Sequence, residues 1–146
     1  MITDRNGNKL TFTYDGSNRL SKVQDDSGQY LQFLYDANSR ITTVRDETLR
    51  AWTYQYTSNR LTSVTDPLSN STLYIYDASN RISEIVDRAN KMTRIVYDAS
   101  SRVTNLYLGL YNRTTSSITW QYRWYTISGY TNPRTRTVTD ANNVAS

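Results

Sequence analysis

The sequence contains no cysteine and no histidine among its 146 residues. Without cysteine the chain can form no disulfide, build no cysteine-ligated zinc site and use no thiol nucleophile. Without histidine it lacks the side chain on which Ser-His-Asp triads, imidazole metal sites and pH switches near neutrality depend. The two absences remove the commonest ways of building an active site, and they favour a structural or binding role.

Glycine, proline and long apolar runs are also scarce. The chain has five glycines and two prolines, and it contains no Gly-rich loop of the kind that cradles phosphates. No apolar run is long enough to predict a membrane-spanning helix, and the opening MITDRNGNKL lacks the apolar core of a secretion signal. We therefore expect no cofactor and no membrane insertion.

Tyrosine, by contrast, is abundant, with 13 copies. Aromatic residues make up 12% of the chain, whereas disordered chains are poor in them. Leu10, Phe12 and Tyr14 alternate with Thr11 and Thr13. A period of two predicts a strand with one buried face, so the composition and the pattern together indicate an ordered all-β protein.

The charge is moderately positive but evenly spread. The net charge of +4 comes from 17 Lys and Arg residues against 13 Asp and Glu residues, and the two signs are interleaved along the chain. Nucleic-acid-binding proteins usually gather their positive charge on one face or in one tract. We therefore predict solvated ion pairs and no nucleic-acid partner.

The most informative feature is a nine-residue phrase that recurs about every 21 residues. It reads FTYDGSNRL, FLYDANSRI, YIYDASNRI and IVYDASSRV, with a shorter copy between the second and the third. The repeated tyrosines and the arginines that follow them are Tyr14, Tyr35, Tyr56, Tyr76 and Tyr97, and Arg19, Arg40, Arg60, Arg81 and Arg102. Several copies of one phrase indicate repeated structural units, whereas an active site needs a single set of catalytic residues. We therefore predict no catalytic residue and no enzyme activity.

An aspartate directly follows the tyrosine in four of the copies. These residues are Asp15, Asp36, Asp77 and Asp98. The third copy, TSNRL, lacks both the aspartate and one loop residue. Because an aspartate at the start of a turn can accept backbone N–H bonds from the residues after it, we predict that these four cap a longer loop. A second aspartate, six residues after the arginine, predicts another turn, although Leu49 in DETLR fits that turn poorly.

Each repeat is therefore predicted to be a β-hairpin. The apolar residues of its return strand lie three apart, which predicts a β-bulge or packing on both faces. A lone hairpin is marginally stable, whereas stacked hairpins can stabilise one another through their interfaces. We expect tandem hairpins stacked into a continuous, twisted and spiralling antiparallel sheet whose rings share one interior.

The regular pattern does not cover the whole chain. We predict five regular hairpins in residues 1–103, an irregular aromatic-rich insertion in 104–129 and a partial final repeat in 130–146. The insertion contains a strand pattern whose aromatic positions are Trp120, Tyr122, Trp124 and Tyr125. Two interpretations stay open: these rings cap the stack of hairpins, or they form an exposed strip that binds a sugar or a neighbouring subunit.

Other chemistry has weaker support in the sequence. Paired carboxylates can hydrolyse glycosides, but here the aspartates are periodic and each has a role in a turn. A calcium site needs several converging oxygen ligands, and one or two acids per turn do not supply them, so no metal site is predicted. The triplets NST at Asn70 and NRT at Asn112 match the acceptor pattern for N-glycosylation.

The repeat phrase resembles the YD repeat of Rhs proteins, teneurins and insecticidal toxin-complex shells. The resemblance is carried by Tyr-Asp-x-x-x-Arg-Leu followed by Val-x-Asp and a Gly-containing turn, over residues 2–102 and again over 130–143. It implies long β-sheets that spiral into a hollow shell, which in bacterial members encloses a toxic C-terminal segment. It also implies an extracellular or cell-surface location. No segment resembles the autocleavage region, rich in Asp-Pro and Gly, of the bacterial shells.

The sequence thus favours a non-enzymatic structural scaffold. Its first and last units stop partway through a repeat, which suggests either a piece of a longer array or copies that add head to tail. We expect the partners to be further repeats or copies of the same chain, forming part of a shell or a fibre. The alternatives are an adhesion module that binds carbohydrate and a fragment of a toxin-encapsulating shell.

Overall fold

The computed structural model describes residues 1–128 and 137–139, with side chains through residue 119 and at residue 127. All of the secondary-structure elements in these residues are β-strands, which confirms the predicted all-β class. The chain divides into two compact units, Met1–Ser71 and Thr72–Ser146. No helix in the described part is long and apolar enough to cross a membrane.

Unit 1 is a series of antiparallel strands in sequence order, each paired with the next. Its strands are β1 (Ile2–Thr3), β2 (Lys9–Tyr14), β3 (Leu20–Asp25), β4 (Tyr30–Tyr35), β5 (Ile41–Asp46), β6 (Ala51–Thr57) and β7 (Arg60–Thr65). Sequential pairing of this kind is a meander of hairpins, as the repeat predicts.

Unit 2 follows the same plan, and its consecutive strands also pair antiparallel. Its strands are β8, which starts at the last residue of unit 1 (Ser71–Tyr76), β9 (Ile82–Val86), β10 (Lys91–Tyr97), β11 (Val103–Asn112), β12 (Ser117–Ser128) and β13 (Thr137–Thr139). β11 and β12 are longer than the other strands and pair with each other from Asn112 back to Asn105. The proposed division of the chain at residues 103 and 129 stays a prediction.

One face of the sheet in unit 1 is apolar. Phe12 lies opposite Val23, and the equivalent pair in the next hairpin is Phe33 and Val44. Residues directly opposite each other on antiparallel strands share a face and pack together. Side chains one position further along, such as Thr13 and Lys22, lie on the other face, which is polar.

The expected shared aromatic interior does not form within the described residues. Tyr14 is 56% exposed and Trp52 is 46% exposed, and most other rings are half-buried. Val86 and Met92 are the only apolar side chains in the described part that are fully buried. The physical reason is that a sheet face becomes a core only when a second layer covers it.

Both turns of the repeat are one and the same five-residue loop. In each, the aspartate N–H donates to the fifth residue's carbonyl, and the fourth residue's N–H donates back to the aspartate carbonyl. The aspartates that begin these loops are Asp4, Asp15, Asp25, Asp36, Asp46, Asp66, Asp77, Asp87 and Asp98. The fourth residue has a positive φ every time, which explains why it is so often Gly or Asn.

Leu49 occupies this left-handed fourth position, with φ 66° and 65% of its surface exposed. A side chain with a Cβ is strained there, and little packing compensates for the strain. We expect Leu49→Gly to raise the free energy of unfolding by up to about 1 kcal/mol. Urea titration of the two proteins measures the change.

The matched control is Leu68→Gly in the equivalent loop. Leu68 is 81% exposed but stands at the third position, where no positive φ occurs. Because a glycine there only adds freedom to the unfolded chain, this change should be neutral or destabilising. Equal effects of the two substitutions would contradict the strain at Leu49.

The shortened third repeat uses a different turn. Ser58 and Asn59 both have positive φ, 48° and 63°, between the paired residues Thr57 and Arg60. Two consecutive positive φ values define a type I′ hairpin turn, which connects two strands with two residues. This turn has no place for the capping aspartate, so the missing residue and the missing acid have a single cause.

In the described residues, the five return strands that follow the repeated tyrosines carry a β-bulge just after the loop. The register shifts at the tyrosine, and one Ser or Thr of the return strand is left without a partner opposite. The hydroxyl of this residue donates to the carbonyl of the residue before the tyrosine, at 3.1–3.3 Å, for Ser21, Thr42, Thr62, Ser83 and Thr104. The bulge accounts for the three-residue spacing of the apolar side chains and confirms the first of the two predicted causes.

Candidate functional site: the joint between repeats

The capping aspartates bind both the backbone and the arginine of their own loop. In the second repeat, Asp36 Oδ1 accepts the N–H groups of Asn38 and Arg40 at 2.8 and 3.0 Å. Its Oδ2 accepts Arg40 Nε at 2.8 Å and lies 2.7 Å from Nη2. The carboxylate is thus held between two backbone donors and a guanidinium, a charge-assisted arrangement that fixes the arginine head.

The same arrangement recurs at the other three capping aspartates. The ion pairs Asp15–Arg19, Asp77–Arg81 and Asp98–Arg102 have N···O separations of 2.8, 2.7 and 2.7 Å. Arg50 forms an equivalent pair with Asp46 in a loop of the second kind, at 2.6 Å. The loop therefore uses its acid to hold its own arginine, which leaves that acid little capacity for a substrate.

These contacts lower the pKa of the capping carboxyls. For Asp15, Asp77 and Asp98 the largest cause is the backbone N–H of the following arginine, whereas for Asp36 it is the hydrogen bond from the Arg40 side chain. The pKa values of Asp4, Asp25 and Asp46 are also lowered, mainly by side-chain hydrogen bonds within their loops.

We therefore expect stability to fall in acid. Each of these carboxyls has a lower pKa in the folded chain than its ordinary value of 3.8, so the unfolded chain binds more protons. The stabilisation is complete above about pH 5 and is lost as the pH falls through the lowered values. Urea midpoints measured from pH 7 to pH 2 should decrease only at the acidic end.

The variant Asp36→Asn provides the control for this pH effect. It should be less stable than the parent at pH 7, because an amide has no charge and only one acceptor oxygen, which cannot serve both the loop N–H groups and the Arg40 guanidinium. The two proteins should approach each other in stability near pH 2, where the parent carboxyl is protonated. A constant difference across the range would show that Asp36 acts through packing and not through its charge.

The arginine held by the loop stacks on the tyrosine of the next repeat. The guanidinium carbons of Arg19 and Arg40 lie 4.5 Å from the ring centres of Tyr35 and Tyr56. In unit 2, Arg81 lies at the same distance over Tyr97. Stacking at this distance is a cation–π contact, worth about 0.5–1 kcal/mol at an exposed site.

The same tyrosine also binds the backbone of the repeat before it. The hydroxyl groups of Tyr35, Tyr56 and Tyr97 donate to the carbonyls of Leu20, Ile41 and Ile82, at 2.7, 2.9 and 2.7 Å. Each of these carbonyls belongs to the residue directly after the stacking arginine. The guanidinium therefore contacts the face of the ring, and the strand that begins directly after that arginine accepts the hydrogen bond of the ring's hydroxyl.

A third contact joins the arginine to the next loop. The Nη1 atoms of Arg19, Arg40 and Arg81 donate to side-chain oxygens of Ser39, Asn59 and Ser101, each at 3.1 Å. We call this set of contacts the repeat joint: an aspartate-held arginine, the tyrosine beneath it and the backbone carbonyl that the tyrosine binds. The three joints described here have nearly identical distances, so the repeated phrase specifies an interface between repeats.

The remaining residues of the predicted ladder lie at equivalent sequence positions. Tyr14 ends β2 and is much more exposed than its half-buried equivalents Tyr35 and Tyr56. Arg60 begins β7 and Tyr76 ends β8, and both are half-buried. Arg102 pairs with Asp98, as noted above.

The predicted aromatic strip falls on β12, but its side chains lie outside the described residues. The backbones of Trp120 and Trp124 lie opposite Gly109 and Tyr107 of β11, and that of Tyr125 lies opposite Leu106. Tyr122 belongs to the same strand. Whether this strip caps the stack or binds a ligand therefore stays a prediction.

One open groove lies on the apolar face of unit 1, with a volume of about 380 Å³. Leu10, Val23 and Leu31 line it together with Asp25 and Asp46. Both acids already accept several hydrogen bonds within their own loops. No cluster of three acidic side chains suited to a metal ion occurs in the part of the chain that the structure describes.

Comparison with known structures finds low similarity over nearly the full chain. A crystal structure of TcdB2-TccC3-Cdc42 is 12% identical, with a TM-score of 0.47, over 93% of this chain and 9% of that one. A crystal structure of TcdB2-TccC3-TEV is 12% identical, with a TM-score of 0.46, over 97% of this chain and 10% of that one. This chain therefore spans about a tenth of the length of those chains.

The comparison with curated proteins found no match. A family model, the RHS repeat, matches residues 2–30, 35–67 and 57–92. These segments cover more than half of the chain, and they contain all but the last of the Asp loops and bulges described above. The protein belongs to the RHS repeat family.

Proposed function

We propose that this chain is a non-enzymatic structural scaffold that forms part of an extracellular or cell-surface shell or of a self-assembling fibre. The observation that carries the proposal is the repeat joint. Its acids hold the arginines of their own loops, and its guanidiniums and tyrosine hydroxyls contact the neighbouring hairpin. A site built for catalysis leaves such groups free to meet a substrate, whereas here they hold the sheet together.

We further propose that copies associate end to end through strand edges. β1 is the first strand of its sheet, and the nearby Tyr14 ring is more exposed than its equivalents inside the array. An edge strand presents unpaired N–H and C=O groups to which another strand can add. Tyr14 has the position at which a preceding arginine would stack, so a second copy or a further repeat would complete the joint.

Sedimentation velocity and negative-stain electron microscopy over a range of concentrations test this association. We expect species that lengthen with concentration, and we expect Thr3→Pro to shorten them because proline removes a donor from the edge. The matched control is Gly16→Pro in a loop away from β1, at the second loop position, which Pro67 occupies in the Asp66 loop. A protein that stays monomeric at all concentrations would refute end-to-end growth, and glycan-array binding by such a monomer would support the adhesion alternative.

A further inference from the structure

The two N-glycosylation triplets are not equivalent in the folded chain. Asn70 is the fifth residue of an Asp loop, the position that arginine occupies in most other copies. Asn112 ends β11 and begins the short loop to β12. The structure assigns them different roles: we infer that Asn112 is an acceptor that can carry a glycan without cost to the fold, whereas Asn70 is a loop-closing residue.

The amide of Asn70 is engaged with a buried carboxylate. Its Nδ2 donates to both oxygens of Asp66, at 3.2 and 3.1 Å, and its backbone N–H donates to Oδ1 at 2.8 Å. Asp66 is only 8% exposed. Since a buried charge is costly unless its hydrogen bonds are satisfied, the Asn70 side chain does for Asp66 what arginine does for five of the other loop aspartates.

The first loop shows that an asparagine at the fifth position binds the loop aspartate there too. Asn8 is also the fifth residue of an Asp loop, and its Nδ2 donates to Asp4 Oδ2 at 2.8 Å. A sugar at Nδ2 replaces one of the two amide hydrogens. At Asn70, a glycan would therefore sit on the nitrogen that contacts both oxygens of Asp66 and place a bulky group beside a buried acid.

Asn112 is arranged in the opposite way. Its Oδ1 accepts the backbone N–H groups of Thr114 and Thr115, at 2.9 and 3.1 Å, whereas exposure does not distinguish it, because both asparagines are exposed. Its Nδ2 donates to no group within the described residues. The side chain is thus oriented through its oxygen while its nitrogen remains open for substitution.

The surrounding loop holds Asn112 in this position. Arg113 reaches back to the loop after β9, where Nε donates to Asn90 Oδ1 and Nη2 donates to the Asp87 carbonyl at 3.0 Å. The neighbouring Tyr111 N–H donates to the Asn90 carbonyl at 2.8 Å. Asn112 is therefore presented on an anchored loop, and a glycan attached there displaces none of these contacts.

The reaction requires a lipid-diphosphate-linked oligosaccharide and the oligosaccharyltransferase of the host cell. The bond between the sugar C1 and the phosphate oxygen breaks, and a bond from C1 to Asn112 Nδ2 forms. The amide gives up one proton, and the lipid diphosphate leaves. No oxidation or reduction takes place.

Expression through the secretory pathway of a eukaryotic cell tests the inference. Release of the glycans by peptide-N-glycosidase in heavy-oxygen water marks each occupied asparagine, and mass spectrometry reads both sites in the secreted protein. We expect occupancy at Asn112 to exceed that at Asn70 by roughly tenfold or more, the ratio that ~1.4 kcal/mol gives. Secreted protein with a bare Asn112, or with Asn70 equally occupied, would overturn the inference.

Two nearly isosteric changes separate a glycan effect from a folding effect. Thr114→Val removes the triplet at Asn112, and Thr72→Val removes the triplet at Asn70 while keeping the Asn70 side chain. We expect Thr114→Val to abolish the main glycan and Thr72→Val to leave it unchanged. In unglycosylated bacterial protein, Asn70→Ala should lower the melting temperature relative to Thr72→Val, and equal melting temperatures would overturn the loop-closing role of Asn70.

Discussion

Met92→Ala is expected to lower the free energy of unfolding by about 2–5 kcal/mol, as large-to-small changes in a packed interior do. Met92 is 1% exposed, and it lies opposite Val86 on one side and Gly109 on the other. Gly109 has no side chain that could fill the space left by the shortened residue. The change should therefore leave a cavity in the best-buried part of unit 2, and chemical denaturation measures the loss.

A control on the same strand pairing separates cavity formation from a general loss of apolar surface. Leu110 lies opposite Lys91, next to Met92, and is 41% exposed. Leu110→Ala should cost less than about 1 kcal/mol, because half-exposed methylenes gain little from folding. If the two substitutions had equal effects, Met92 would not be part of a packed interior.

Tyr56→Ala is expected to cost about 2–3 kcal/mol, because it removes a half-buried ring and its hydrogen bond together. The ring supports the Arg40 guanidinium, and the hydroxyl donates to the Ile41 carbonyl. Tyr56→Phe removes only the hydroxyl and should cost about 1 kcal/mol. Urea unfolding of the parent and the two variants measures both losses. The loss in Tyr56→Phe gives the contribution of the hydrogen bond, and the additional loss in Tyr56→Ala gives that of the ring.

Tyr14 offers a control at the equivalent position of the repeat. It has the same sequence context but is 56% exposed. Tyr14→Phe should be close to neutral in dilute monomeric protein, because the Tyr14 hydroxyl donates to no carbonyl within the described residues, unlike that of Tyr56. A cost equal to that of Tyr56→Phe would mean that the tyrosine stabilises its own hairpin and not the joint between hairpins.

The hairpins, their order and their loops follow from the sequence because the signals are local. Alternation such as Leu10, Phe12 and Tyr14 specifies a strand, and the short interval between Tyr14 and Arg19 forces the next strand to return beside it. The missing residue in TSNRL likewise predicted a tighter turn, which Ser58 and Asn59 form. A period repeated several times strengthens each of these local signals.

The repeat joint was only partly predictable. The interleaved charges predicted ion pairs, and Asp36 and Arg40, four residues apart, form one of them. The bond from Tyr56 to the Ile41 carbonyl, however, connects residues 15 apart and depends on how neighbouring hairpins are placed. No spacing rule for a single hairpin contains that information.

The hydroxyl residue at the bulge and the small residue at the fourth loop position are both visible in the sequence. Their roles, however, can be understood only once the backbone is known. A Ser or Thr stands two residues after each repeated arginine, as with Ser21 and Thr42, and its hydroxyl fills the bulge. The fourth loop residue is Gly, Asn or Ser in all but one loop, because φ is positive there, and Leu49 is the exception. Burial was predicted least well, since alternation shows which face is apolar but not whether another layer covers it.

A double-mutant cycle between Arg40 and Tyr56 tests the central claim most directly, because the claim is that the repeated phrase joins one hairpin to the next. The cycle measures the free energies of unfolding of the parent, the two alanine variants and their combination. We predict a favourable coupling of at least about 0.5 kcal/mol for this pair, and none for Arg40 with Tyr14, which lies in the preceding repeat. Zero coupling between Arg40 and Tyr56 would contradict the account, since the two residues would then act independently.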